Sequence, residues 1–203
     1  MEKGNRRNVF EVYDKIATWF SENRYTGLLE KPYLDKLISF LPVDAKILDL
    51  GCGTGKPILE YLFNSGFKVV GVDASQKMLE IAIQSFPSVA FIQQDMRVLS
   101  LNEKFDAIIA WDSFFHLPAD DQRAMFDVFK NNINPKGLLL FTSGTALGEA
   151  WGINGGENLF HASLDAREYK ALLEQNKFVV LEAGVNDENC DRAAVWLAQY
   201  NPS

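Results

Sequence analysis

Three short stretches of this chain end in groups suited to gripping a polar ligand. Residues 47–55 read Ile-Leu-Asp-Leu-Gly-Cys-Gly-Thr-Gly, an apolar run that turns into alternating glycines. Glycine lets a backbone pass close to a ligand and take positive φ. An apolar strand, the loop Gly51-Cys52-Gly53-Thr54-Gly55 and a helix opening near Lys56-Pro57 therefore form a cradle of the general nucleotide type. Pro57 suits a helix start, where its missing N–H would go unpaired anyway. Spacing then narrows the ligand. A dinucleotide fingerprint needs a third glycine where Lys56 stands, and a phosphate loop needs a hydroxyl where Pro57 stands. Twenty residues beyond Gly53, a second apolar run ends in Asp73-Ala74-Ser75, where the carboxylate could accept from both ribose hydroxyls of an adenosine. A third run ends in Gln94-Asp95-Met96, with Asp95 placed to accept from an adenine amino group and Met96 to cover the ring. Each acid has a plainer reading: Asp73 as a helix cap, Asp95 as a turn residue.

The acceptor of any chemistry is harder to place. A fourth apolar run, Phe105–Trp111, opens into Asp112-Ser113-Phe114-Phe115-His116. His116 has the pKa of a general base for a hydroxyl or thiol, or it is an imidazole packed beside Phe114, Phe115 and Leu117. His161, in Leu-Phe-His-Ala-Ser, either folds over a substrate or packs beside the Ser163 or Asp165 cap. Trp111, Trp151 and Phe160 are candidate walls for a planar or cationic substrate, or ordinary core and edge packing, and Tyr13 and Tyr25 are candidate covers, with core packing the alternative for Tyr13 on its apolar stripe. With one Asp112 in the fourth region, no carboxylate set for a metal is expected.

Hydrophobic periodicity says what must hold these residues. Val9, Val12, Tyr13, Ile16, Trp19 and Phe20 share one helical stripe within 8–20, and Tyr33, Leu34, Leu37, Ile38 and Leu41 share another within 33–41. Strands are expected near 46–50, 67–72, 89–93, 105–111 and 137–143, and helices near 55–65, 75–85, 118–131 and 165–176. That alternation predicts an α/β fold with a mostly parallel sheet covered by helices on both faces. Residues 177–185 and 193–200 have no helix between them and are expected to pair as an antiparallel hairpin at the sheet edge. The segment 144–162 carries five glycines and is expected to be a long lid or substrate loop.

Composition bounds the rest. A chain of 203 residues, 47% hydrophobic, fits one domain, with N-terminal helices over 1–44 and the sheet core over 45–203. A net charge of −7 opposes nonspecific binding of nucleic acid, so a small ligand is expected, with a monomer or homodimer as the assembly. No signal-peptide pattern or membrane-length apolar run is present, which points to the cytoplasm. Cys52 and Cys190 are expected to be reduced thiols.

The order ILDLGCGTG, VVGVDAS, FIQQDM, FDAIIAWDSFFHL and NPKGLLLFTSG resembles the class I S-adenosylmethionine (SAM) dependent methyltransferase family across nearly the whole chain. The resemblance implies a Rossmann-like seven-stranded sheet with its last strand reversed, SAM as cofactor, and transfer of a methyl group to O, N or S of a small-molecule acceptor. It places Asp49, Gly51, Cys52, Gly53 and Gly55 around the methionine part of SAM, Asp73 and Ala74 at the ribose, and Asp95 and Met96 at the adenine. Ala110 and Trp111, at the end of the fourth strand, complete the expected cofactor set. Asp191-Arg192-Ala193-Ala194 stands where a Gly-His-Thr-like stretch is expected in similar small bacterial proteins. A SAM-binding module without catalysis and a nicotinamide-dependent oxidoreductase are the competing classes. The missing third glycine speaks against the second.

Overall fold

The computed structural model describes residues 6–184 and 193–202; Cys190, Asp191 and Arg192 lie outside them. Helices α1 (Phe10–Asn23) and α2 (Lys31–Ser39) come first and turn their apolar stripes inward, burying Val12, Ile16, Leu34 and Leu37. The alternating unit follows as β1 (Lys46–Leu50), α3 (Ile58–Asn64), β2 (Lys68–Asp73), α4 (Gln76–Ser85), β3 (Ala90–Gln93), β4 (Phe105–Ala110), α5 (Ala119–Asn132) and β5 (Ile133–Ser143). After β6 (Gly148–Asn154) and β7 (Glu157–Ser163), the chain ends with α6 (Ala166–Gln175), β8 (Phe178–Gly184) and β9 (Ala194–Tyr200).

Seven strands form one sheet in the order β3-β2-β1-β4-β5-β9-β8. β1 to β5 pair in parallel, while β9 runs antiparallel to both β5 and β8, so the reversed last strand and the terminal pairing are as expected. Helices cover both faces, and the central strands therefore read as continuous apolar runs. Within β1, Leu48 and Leu50 face a layer containing Phe126 and Phe129 of α5 and Tyr169 and Leu173 of α6. Ile47 faces the opposite layer, with Leu34 and Leu37 of α2 and Leu59 and Leu62 of α3. This sandwiching aligns the carboxyl ends of β1, β2, β3 and β4 along one rim, where ligands of open α/β sheets bind.

The glycine-rich segment departs from the expected loop. It forms a separate two-stranded antiparallel sheet, β6 with β7, turned by Gly155-Gly156. Both glycines have positive φ, 56° and 83°, the geometry that a two-residue hairpin turn requires and that other residues resist. An isolated hairpin is marginal in water, and this one is braced by α1. Val9 and Val12 pack on Leu159, Phe160 and Ala162. Arg6 pairs with Glu149, and Lys15 with Glu157 at 3.5 Å.

Its far end is tied to α5 and α6. Buried Gln122 donates to the carbonyls of Leu117 and Ala162, both at 2.8 Å, and accepts from the Tyr169 hydroxyl at 2.5 Å. Tyr169 also accepts from the Leu164 N–H at 3.0 Å. Tyr169→Phe removes one hydroxyl and leaves two buried partners unsatisfied, so it is expected to cost about 1–3 kcal/mol. Urea unfolding of the two proteins, compared at equal m-value, measures this.

Candidate functional site

The rim carries two adjoining cavities. In the first, the end of β1 delivers Asp49, the following loop delivers Gly51, Cys52, Gly53 and Thr54, and β2 ends in Asp73 and Ala74. The segments after β3 and β4 add Asp95, Met96, Trp111, Asp112 and Ser113. Gly51 has φ 76°, and a Cβ there would lie 2.3 Å from that of Ser113. Only glycine lets the first loop and the fourth strand end approach so closely. Ser113 fastens the contact by donating to the Leu50 carbonyl at 2.7 Å.

Asp73 joins the glycine loop to the second strand. Its Oδ2 accepts from the Gly53 N–H at 2.9 Å and its Oδ1 from the Ser75 N–H at 2.8 Å. The helix cap itself is Ser75, whose hydroxyl accepts from the Met78 N–H. Burial pushes the Asp73 carboxyl up to about 6, against the backbone bonds that pull it down. Burial, reinforced by the charge of Asp73, pushes Asp49 up to about 7, with Arg24 opposing. Burial also raises the Asp95 pKa, but hydrogen bonds from Arg97 outweigh it and hold that carboxyl below its ordinary range. Arg97 reaches further, to Asp121 at 3.0 Å and Asn8 at 3.2 Å, and so ties the amino end to this corner.

Two expected members of the cofactor set lie elsewhere. Ala110 is fully buried inside β4, paired with Phe141, and does not line the cavity. Gly55 lies under the Phe86 ring, where a Cβ would come within 2.9 Å, so its positive φ serves the turn. Tyr25 is 67% exposed and lines neither cavity. Trp151 and Phe160 pack on each other in the small core under α1 and are not walls of the second cavity.

That second cavity, of about 650 Å³, lies under the hairpin and is faced by the rings of Tyr13, Phe20, Phe115, His116 and His161. Tyr13, Phe20, Arg24, Asp112 and His116 border both cavities and form the wall between them. Asp112 stands there in a left-handed conformation, φ 48°, which aspartate tolerates better than most residues, with its N–H donating to Thr142 at 2.8 Å. His116 Nδ1 lies 2.8 Å from the Phe160 carbonyl, and its Nε2 lies 2.9 Å from the Tyr13 hydroxyl. Burial lowers the His116 pKa to about 4.

Comparison with known proteins agrees with this geometry. A family described as a methyltransferase domain matches residues 47–137, which hold the glycine loop and all four strand ends. Residues 47–137 thus match a methyltransferase domain, and the chain is similar to class I SAM-dependent methyltransferases. YqeM of Bacillus subtilis, which carries a methyltransferase name with no acceptor, is 34% identical over 138 residues, 64% of this chain and 51% of the relative. The tRNA (carboxymethyluridine(34)-5-O)-methyltransferase of Schizosaccharomyces pombe is 31% identical over 57% of this chain and 47% of its own. The chain thus spans about half the length of these curated relatives. Among solved structures, the 1,6-didemethyltoxoflavin-N1-methyltransferase of Burkholderia thailandensis matches with a TM-score of 0.74 at 16% identity, over 95% of this chain and 87% of that one. The [4+2]-cyclase SpnF matches with 0.76 at 15%, over 99% and 98%. One fold therefore carries differently named reactions, and within the family the site must be argued from its own residues.

Sequence reasoning missed Arg24, Ser113, Arg97 and the Tyr13–His116 contact. Arg24 follows the end of α1 in a polar stretch that gives no motif. Its Nε is buried without a hydrogen-bond partner, beside the wall that the two cavities share.

Proposed function

We propose that the chain binds SAM in the first cavity and transfers its methyl group to a small molecule held in the second. The observation that carries this reading is the shared wall: a donor site and an acceptor chamber meet at Tyr13, Arg24, Asp112 and His116. The donor supplies a carbon already activated by its sulfonium charge. The protein's task is alignment and exclusion of water. In this reading Asp73 takes the ribose hydroxyls and Asp95 the adenine amino group. Asp49 lies near the donor's positive groups, and the unpaired Arg24 Nε supplies a donor for its carboxylate. Met96 borders the same cavity, where in this reading it covers the adenine ring.

A small acceptor is favoured over a polynucleotide by two features. The chamber has the volume of a small-molecule site, which typically spans about 300–1,000 Å³. The net charge of −7 gives no electrostatic footprint for phosphates. Incubation with SAM and a fractionated metabolite pool is expected to yield S-adenosylhomocysteine only when an acceptor fraction is present. Binding of SAM without acceptor-dependent product across the pool would instead indicate a non-catalytic binding module. Product only with tRNA would overturn the small-molecule assignment.

A further inference from the structure

The chain has two histidines, and they stand side by side with ring centroids 4.7 Å apart. They are engaged differently. The Phe160 carbonyl can only accept, so His116 Nδ1 carries its proton, and Nε2 accepts from the Tyr13 hydroxyl. Both nitrogens of His116 are used, and the residue is 8% exposed. His161 projects from β7 into the chamber and is only half-buried. Gly152, diagonal to it on β6, leaves it room: a Cβ there would lie 3.3 Å from the His161 ring. Phe115 supports the ring at 5.3 Å, tilted by 34°. The imidazole bonds the Leu159 backbone and borders the chamber, and a ring with two nitrogens has a second to offer there.

Resting on the methyl-transfer reading, we propose that His161, rather than His116, takes the proton from the acceptor, and that the acceptor presents a hydroxyl on a planar ring. The acceptor oxygen forms the new bond to the methyl carbon, the carbon–sulfur bond breaks with its electron pair returning to sulfur, and the O–H proton passes to the free His161 nitrogen. The imidazolium then releases that proton through the chamber mouth. His116 is a positioning residue: it fixes Tyr13 to β7 and backs the His161 ring.

The acceptor class follows from the walls. Phe20, Tyr13 and Phe115 line the chamber with aromatic rings, which suit a planar molecule. Tyr13 shows that this corner already seats a phenol, its own hydroxyl bound to an imidazole nitrogen. The charged and titratable groups around the chamber are Tyr13 and Arg24 from the first helical segment, Asp112 and His116 after β4, and Glu149 of β6, which is paired with Arg6. Burial lowers the His161 pKa, with the Leu159 backbone bond opposing, so the ring is neutral and ready to accept a proton at pH 7.

The test uses the whole chain with 15N-labelled histidine, in which His161→Gln assigns both imidazoles at once. His116 is expected to keep its Nδ1–H signature unchanged from pH 5.5 to 8, whereas His161 titrates below its ordinary value. Phenol, added with and without S-adenosylhomocysteine, is expected to shift the His161 nitrogen signals saturably, and cyclohexanol to bind at least tenfold more weakly. His161→Gln should weaken phenol at least tenfold and leave S-adenosylhomocysteine affinity within twofold. Phenol that binds the variant equally well, that shifts only His116, or that does not bind at all overturns the proposal. Failure of S-adenosylhomocysteine to bind overturns the donor reading instead, because the phenol arm without it still reads the chamber.

Discussion

Replacing Asp73 by alanine is expected to weaken SAM binding by roughly 1.5–3 kcal/mol, one to two powers of ten in Kd, the range for hydrogen bonds to a charged group. The carboxylate bonds the Gly53 and Ser75 N–H groups in the ligand-free protein and keeps lone pairs for the ribose. Alanine therefore removes two ligand contacts and also loosens the join between the glycine loop and β2. Asp73→Asn separates the two effects, since the amide oxygen can still accept from one backbone N–H. Calorimetric titration of SAM reads the loss, and urea unfolding of each variant reads the loosening. Unchanged affinity in the alanine variant would mean that Asp73 only organises the loop.

SAM binding is also expected to expel protons. Burial holds Asp49 at about 7 and Asp73 at about 6, so near pH 6.5 both carboxyls are partly protonated in the empty site. A ligand with sulfonium and ammonium charges favours the ionised forms and lowers both pKa values. Affinity should therefore rise with pH between about 5.5 and 7.5, by up to tenfold per unit where one full proton is released, and flatten above that window. Titration in buffers of different ionisation enthalpy measures the protons directly, and a pH-independent Kd would contradict the expectation. Stability of the empty protein has the opposite slope. These raised carboxyl pKa values contribute stability that is complete below the unfolded value near 3.8 and is lost as pH rises through about 6 to 7. His116, lowered from 6.5 to about 4, contributes stability above 6.5 that is lost as pH falls toward 4.

The sheet was largely legible because its strands are buried on both faces and announce themselves as apolar runs between helical periods. Boundaries moved where local chemistry intervened: β5 begins at Ile133, before Asn134-Pro135, and pairs with Phe105 across a register shift. The hairpin β6–β7 was also written in the chain, as Gly155-Gly156 between alternating residues, but the other glycines around it read as looseness. In the site, the strand-end acids and glycines were legible because their positions are fixed by short-range chain geometry. Arg24, the Tyr13–His116 contact and the pairing of the two histidines were not. They meet through packing between segments 45 to 103 residues apart, and periodicity carries no record of such encounters. Ala110 shows the converse: being next to a rim residue in sequence says nothing of which way a strand side chain points.

The hairpin shares no backbone hydrogen bonds with the main sheet, and yet it supplies His161, the Phe160 carbonyl and the roof of the chamber. Part of the second cavity is thus built apart from the strands that form the first, although Tyr13, Phe20, Arg24, Asp112 and His116 border both. On the proposed reading, an exchange of some twenty residues there would reshape the roof of the acceptor chamber without disturbing the strands of the donor site. The exchange has a condition. Because Arg6, Lys15 and the apolar face of α1 hold the hairpin in place, any new version would have to arrive with a matching amino-terminal helix. Two stretches some 140 residues apart in the sequence are bound to diversify as one.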